Sequence, residues 1–426
     1  MKPRSVILLT ISALIIITAI IATWLTIPKI HRTEGQKTKT PTLLDIINKS
    51  TKSLVNVNKI YVTVSGNLSI YAQLSLSRST LEFFAQNNNE TPTRICIYIN
   101  ETGTVEYAVG RVPSREESYM YVLVPQMNLI LDLRYYTTRS SEAKEYKQRM
   151  YLNNSLEFID TALRNEKLRI CLMFRNVTVI RPKEEIFYLG NLTCVESKLT
   201  SPNTSISFVN YFKQYVHALT KLSLEILRDI AREAKFVGTE EIAGHETYCY
   251  RIKARIDLAK ILSSEKVLTI LIMLAEMNNM STIGENASKI VLYSKFIPLM
   301  LRLLGLDLYT VRGVVCVEHR TGVILYLNVS LENVNRQYAT LILRLNFNVS
   351  KFSIKTGNIA IKEIEKLRKV NATESIRLPL TIAQVLYTLT ELMFNEGTIN
   401  LALSSMLSGI ALASIADQVL SYNAQT

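Results

Sequence analysis

From Ile60 to Leu76 apolar and polar residues alternate without interruption. Ile60, Val62, Val64, Gly66, Leu68, Ile70, Ala72, Leu74 and Leu76 share one side, and the polar and tyrosine side chains between them share the other. A period of two sends successive side chains to opposite faces of a strand, whereas a helix repeats every 3.6 residues. The segment therefore specifies one very long strand, or two joined at Ser65-Gly66-Asn67, with one face on a core and one in water. Half-buried strands of this kind belong to antiparallel sheets.

The pattern recurs in Val323–Leu331 and in Ala339–Val349, where the odd positions are apolar. Further strands are expected near Arg94–Asn100, Thr104–Val109, Tyr119–Val124, Leu168–Arg181, Glu185–Glu196 and Thr247–Ile256. Other stretches carry helical signals. Thr42 followed by Asp45 reads as a capping box opening a helix that runs to about Val57. Ser141 to about Lys167 reads as a charged surface helix, and Ser205 to Lys235 as a long amphipathic one. Glu265–Met280 and Ala287–Leu304 read as an apolar helical hairpin, and Leu378–Leu420 as an apolar helical stretch with small residues at Ser405, Gly409 and Ala413. That small-residue spacing also suits packing within a membrane, but no Lys or Arg follows it, so packing on the domain or on another subunit is the preferred expectation. The class expected is α+β: a long antiparallel sheet over residues 42–361, a helical insertion at 258–310 and a helical extension at 362–426.

Ahead of this domain, residues 5–27 form an apolar anchor whose stretch Val6–Ile27 has no charged residue. Its length suffices to cross a bilayer core of about 30 Å, and no A-x-A cleavage site follows. Residues 28–41 read as a linker. The flanking charges disagree about orientation: Lys2 and Arg4 precede the span, and Lys29, Arg32, Lys37 and Lys39 follow it. Thirteen N-x-S/T sequons decide the matter, all after the anchor, in a chain with 29 Asn. Chance gives roughly five, and sequons serve as glycan acceptors only outside the cytoplasm. Asn67, Asn176, Asn279, Asn286, Asn328 and Asn348 are the acceptors singled out. Asn67, Asn328 and Asn348 fall on the polar side of their strands, and Asn279 and Asn286 at the tip of the helical hairpin. The expected location is the cell membrane, with a single span and the bulk of the chain extracytoplasmic.

The net charge of +13 is spread without a basic run or interleaved aromatics, which argues against nucleic-acid binding. Many Ile, Lys, Glu and Tyr with few His, Gln and Trp fit a thermophilic archaeon. Five cysteines with no C-x-x-C pair exclude a zinc ribbon or thioredoxin motif. Folding Leu168–Glu196 about Pro182-Lys183 sets Cys171 opposite Cys194 and predicts a disulfide. Cys249 and Cys316 lie on strand-like segments on either side of the insertion and predict a second, leaving Cys96 over.

No catalytic constellation emerges. His245-Glu246 begins like H-E-x-x-H, but position 249 is Cys249. No G-x-S-x-G, P-loop or G-x-G-x-x-G is present, and seven Asp form no calcium loop. The chain is expected to be no enzyme and to hold no metal or cofactor.

Two stretches read together, Val237–Ile252 and Val315–Ser330 continuing through Leu341–Phe352, resemble the LolA-like superfamily of lipoprotein carriers. The Thr321-Gly322 turn carries the resemblance most clearly, with Glu318 near the position where the pattern has Asp. The likeness covers about Thr42 to Ile361. It implies a curved antiparallel sheet, a half-barrel, wrapped around helices, with an apolar concave face for acyl chains. The tether, the insertion and the C-terminal extension depart from that pattern and argue against a diffusing shuttle. Two functions follow as expectations. The first is binding of a lipid or other hydrophobic ligand in a cavity lined by Val62, Val64, Leu68, Ile70 and Leu74 and gated by Leu271, Met273 and Met300. The second is a cell-envelope protein with a filled core that assembles with a protein partner through its C-terminal helices.

Overall fold

The structure, a computed structural model, describes residues 41–77, 92–198, 230–263, 298–374, 390, 394 and 397–423, apart from residues 55, 113, 116, 138–139, 163–164, 183, 300 and 358–360. The N-terminal anchor and linker, the helix expected over most of 205–235 and the hairpin at 265–304, save for its last few residues, lie outside that set.

The described residues form four helices and fourteen strands. The strands are β1 (Lys59–Leu76), β2 (Pro92–Val112), β3 (Glu117–Thr137), β4 (Ser140–Ala162), β5 (Lys167–Met173), β6 (Val177–Arg181) and β7 (Glu184–Tyr188). They continue with β8 (Thr193–Lys198), β9 (Lys235–Ile242), β10 (His245–Asp257), β11 (Leu308–Glu318), β12 (Ile324–Asn333), β13 (Ala339–Thr356) and β14 (Thr373–Glu374). The helices are α1 (Leu43–Ser53), α2 (Leu258–Leu262), α3 (Lys362–Lys369) and α4 (Leu401–Asn423). One open sheet joins the strands in the order β14-β8-β5-β4-β3-β2-β1-β13-β12-β11-β10-β9, with β6 pairing both β4 and β7. Every pairing is antiparallel except the short β14–β8 contact at the edge.

β1 lies in the middle and is a single strand. A register shift at Ser65/Gly66 absorbs the bend without breaking it. Its even residues Ile60, Val62, Val64, Leu68 and Ile70 are buried, while the odd residues are only partly covered. α1 opens with the expected reciprocal cap: Thr42 Oγ1 accepts from the Asp45 amide at 3.1 Å, and Asp45 accepts from the Thr42 amide at 2.9 Å.

The sheet has two unequal cores. The larger lies on the face covered by α1 and α4 and takes in the even side of β1. The smaller lies on the opposite face, where Ile364 and Leu367 of α3 cover Ala108, Tyr121, Phe158 and Cys171. Arg368 holds α3 down, pairing with Asp160 at 2.7 Å and lying 5.4 Å from the Tyr119 ring. The segment after residue 361 is thus part of the domain: it supplies α3 to one face, an edge strand in β14 and α4 to the other face.

The helix expected over Ser141–Lys167 is instead β4, paired with β3 along most of its length. Its sequence hides the period of two for two reasons. Several positions on the covered face are polar, including Gln148, Ser155 and Glu157. Asn154, at φ 50°, then shifts the phase. Long-range pairing overrides the helix propensity of its Glu, Lys and Arg residues. The two strands expected at Arg94–Asn100 and Thr104–Val109 are one strand continuing through Gly103, and β3 extends beyond Val124 to Thr137. β10 and β11 are neighbours, so the insertion that starts at α2 sits between adjacent strands.

Both expected disulfides are present, each joining residues directly opposite in register: Cys171 to Cys194 and Cys249 to Cys316. Cys171 belongs to the smaller core, and Cys249 alternates with Tyr250 and Ile252 of the larger one. Both bridges therefore staple the face away from α4. Cys96 is free, half-buried, with its Sγ 3.9 Å from the Tyr71 hydroxyl.

Candidate functional site

The apolar even side of β1 was the expected ligand-binding surface, and it is occupied. α4 crosses it, packing on β1, β2, β3, β4, β12 and β13. Val62, Val64 and Leu68 are fully buried and Ile70 nearly so; Leu74, toward the strand end, is half-buried. Leu271, Met273 and Met300 lie outside the described residues.

Small residues bring helix and sheet close. On α4, Ser405, Gly409 and Ala413 are all buried. A Cβ on Gly409 would lie 2.3 Å from Met127 Cε and 2.9 Å from both Glu101 Oε1 and Val105 Cγ2. The helix docks there because nothing projects from it. Gly409→Leu should cost about 3 kcal/mol, since the core has no room for four carbons; urea unfolding of the full chain measures it.

Both ends of α4 are fixed. Ahead of its first turn, Thr398 bonds to Ser50 of α1 at 2.8 Å and donates to the Thr321 carbonyl, and Ile399 accepts from the Ile324 amide at 2.9 Å. Near its end Asp417 pairs with Arg181 of β6 at 2.6 Å. By length and composition Leu401–Val419 could also cross a membrane. Its polar anchors and small-residue contacts instead match the expected packing on the domain.

The turn that suggested the family resemblance is the socket for this helix. Glu318 is 2% exposed and caps the turn, accepting from the Arg320 amide at 3.0 Å and from the Thr321 amide and hydroxyl at 2.5 Å each. Burial pushes its carboxyl up, but these bonds and neighbouring His319 outweigh burial and hold it below the ordinary value. Gly322 follows at φ 75°, against Ser50 and Ile46 of α1, a conformation that glycine adopts without strain. Glu318→Ala should cost about 2 kcal/mol by orphaning those donors. A lowered carboxyl stabilises the fold above the ordinary carboxylate range and ceases to do so as pH falls through its own value. The wild-type advantage should therefore shrink in acid, as paired denaturation curves at pH 7 and pH 3 would show.

Two carboxyl groups on the covered face were not foreseen. Glu101, between Leu68 and Leu129 in register, is fully buried, and among the described residues neither of its oxygens has a hydrogen-bond partner. Burial raises its pKa well above the ordinary value. Glu157, opposite Val122 and Leu172, is 6% exposed, and burial raises it to about 7. Glu101 sits inside the sequon of Asn100. The signal available was phase: Glu101 takes the core parity of β2.

Two polar clefts lie elsewhere. One, of about 590 Å³, gathers Glu240, Glu241, His245, Glu246, Glu318 and His319. There His319 Nδ1 is 3.7 Å from Glu318 and 4.0 Å from Glu246. Nearby, Glu240 clusters with Cys249 and Cys316, but those sulfurs are joined in a disulfide and offer no thiolate to a metal. The other, of about 440 Å³, lies beside α3 among Lys59, Arg115, Asp160, Arg169 and Arg368. Of β1, only Lys59, on the odd side, lines either cleft.

Of the sequons singled out, Asn328 and Asn348 are exposed, Asn67 and Asn176 are partly exposed, and Asn279 and Asn286 lie outside the described residues.

The chain matches no family model and no curated protein. Among solved structures, a β-barrel-like protein of domain of unknown function DUF1849 from Brucella abortus aligns with 68% of this chain and 98% of its own. The identity is 9% and the TM-score 0.13, too low for the likeness to carry an argument.

Proposed function

We propose that the chain is a non-catalytic protein of the cell envelope, tethered by its N-terminal apolar segment, with its domain outside the cytoplasm and its core filled by its own C-terminal helix. The supporting observation is the seating of α4 over Val62, Val64 and Leu68, the surface a bound hydrophobe would need. The two disulfides support an oxidising compartment. On this reading the LolA-like resemblance concerns the sheet alone, and partners are met through outer surfaces. Native mass spectrometry of the full chain, released from detergent, should give the bare polypeptide or its oligomer. Solvent extraction should release no stoichiometric hydrophobe. A lipid at one per chain would overturn the reading.

A second reading, a hydrophobe-binding protein in which α4 is a displaceable occupant, is favoured by Glu101. A carboxyl group with no partner beneath Gly409 disfavours a permanently closed core. A disulfide engineered between Gly409→Cys and Val105→Cys discriminates. On the second reading it abolishes uptake of a fluorescent fatty acid that the reduced protein binds; on the first, neither form binds.

A further inference from the structure

The strands from β12 to β4 lie side by side in the order β12, β13, β1, β2, β3, β4. Five of these six carry one sequon each among the described residues: Asn328, Asn348, Asn67, Asn100 and Asn153, with none in β3. The strands differ in length, from 10 residues in β12 to 23 in β4, yet their sequons fall at the same height.

The register shows this pair by pair. Asn348 is directly opposite Asn67, and Asn67 is opposite Thr102, the hydroxyl residue of the Asn100 sequon. Ser69, the hydroxyl residue of the Asn67 sequon, is opposite Asn100. Asn328 is opposite Asn346, one same-face step from Asn348. Thr102 is opposite Asn128, and Gln126, one same-face step further, is opposite Asn153. All five acceptors thus occupy three adjacent rungs on the face opposite α4. At about 6.8 Å per same-face step and 4.8 Å per strand, they fill a band roughly 14 Å by 24 Å.

The chemistry of the band is mostly polar, with Ile130 and Arg149 also on the rung of Asn100. Amides and hydroxyls dominate it, and Ser65 and Thr104 share a hydrogen bond of 2.8 Å within it. The next rung on one side turns charged, with Arg344 opposite Tyr71 and Asp132 opposite Tyr98. Asn153, Asn328 and Asn348 are exposed, and Asn67 and Asn100 partly so. Among the described residues, none of the five side-chain amides has a hydrogen-bond partner, leaving each Nδ2 free to react.

A wet strand face favours the tripeptide by itself, because its first and third residues point the same way. That explains sequons on outer faces but not their common height across strands of different length. We infer that Asn67, Asn100, Asn153, Asn328 and Asn348 are glycosylated together and form a sugar belt across the outer face of the sheet. In each transfer the anomeric carbon of a lipid-phosphate-linked oligosaccharide bonds to Asn Nδ2. The glycosyl–phosphate C–O bond breaks, the lipid phosphate leaves, and the amide loses one proton. Asn67 and Asn348 stand about 5 Å apart as a cross-strand pair, so their glycans pack against each other as well as over the sheet. The belt closes the middle of this face to protein partners and leaves contacts to the rest of the surface.

This inference rests on the extracytoplasmic reading. The test is glycopeptide mass spectrometry on the full chain from its native membranes, with protease accessibility on intact cells as a second readout. Glycan at four or more of the five belt sites is expected, and the variant with all five changed Asn→Gln should lose the corresponding glycan masses. Glycans confined to Asn191 and Asn371, which are exposed outside the strands, would overturn the belt and leave the compartment standing. A bare chain that external protease cleaves would do the same. A bare chain that protease cannot reach would overturn the belt and the compartment together.

Discussion

Replacing Cys249 and Cys316 by serine should lower the free energy of unfolding by about 4 kcal/mol. The bridge closes a loop of 67 residues that contains the whole insertion. In the unfolded chain that loop is free once the bond is gone, and its entropy favours unfolding. Cys171 and Cys194 close only 23 residues, so their loss should cost about 3 kcal/mol by the same relation. Urea unfolding of both double variants under non-reducing conditions measures the difference. If the shorter loop proves the more costly, entropy is not the main origin of the stabilisation. Both bridges lie on the face away from α4, so neither variant should change whether a hydrophobe is retained.

The second large effect is one of pH, and its sign is unusual for a carboxylate. Glu157 is raised by burial from 4.5 to about 7 in the folded chain. Between those values the folded state holds a proton that the unfolded state has released, so stability falls as pH rises. By pH 7 the loss is roughly 3 kcal/mol relative to a group that does not titrate. Glu157→Gln should match the wild type near pH 4 and exceed it by that amount at pH 7. Glu101 is raised in the same direction by the same cause, and Glu101→Gln should show the same widening gap. A gap of constant size from pH 4 to 8 would mean that these groups are hydrated in the folded state.

What could be read from the sequence followed from how cleanly each segment expressed its period. β1, β12 and β13 each have one apolar and one polar face; β1 and β12 were legible to within two residues, and β13 as far as Val349, seven residues short of its end at Thr356. The two disulfides were legible because hairpin symmetry and strand adjacency are short arguments. β4 was not, because its covered side carries Gln148, Ser155 and Glu157, and the left-handed backbone at Asn154 changes phase midway. Its identity comes from β3, which no local window contains. The covered face of β1 was correctly identified as apolar, but sequence alone does not distinguish a wall lining a cavity from a wall already in contact. The small residues of α4 held that information. Their spacing suited a membrane or a protein surface, and it is the close contact of Gly409 with Met127, Glu101 and Val105 that shows the helix seated on the sheet.

The central place of β1 also bears on the order in which the domain is made. β1 is the first of the described strands to leave the ribosome, yet one of its two edges pairs with β13, whose residues 339–356 begin 280 residues later. β2, β3 and β4 can add to the other edge in sequence, hairpin by hairpin. Until β13 is delivered, the free side of β1 is a long template of unpaired amides and carbonyls. Distant pairings of this kind form slowly and leave a chain open to pairing with its neighbours. Assembly should therefore depend on whatever shields that edge during synthesis, and truncations ending before residue 339 should aggregate even though most of the sheet is present.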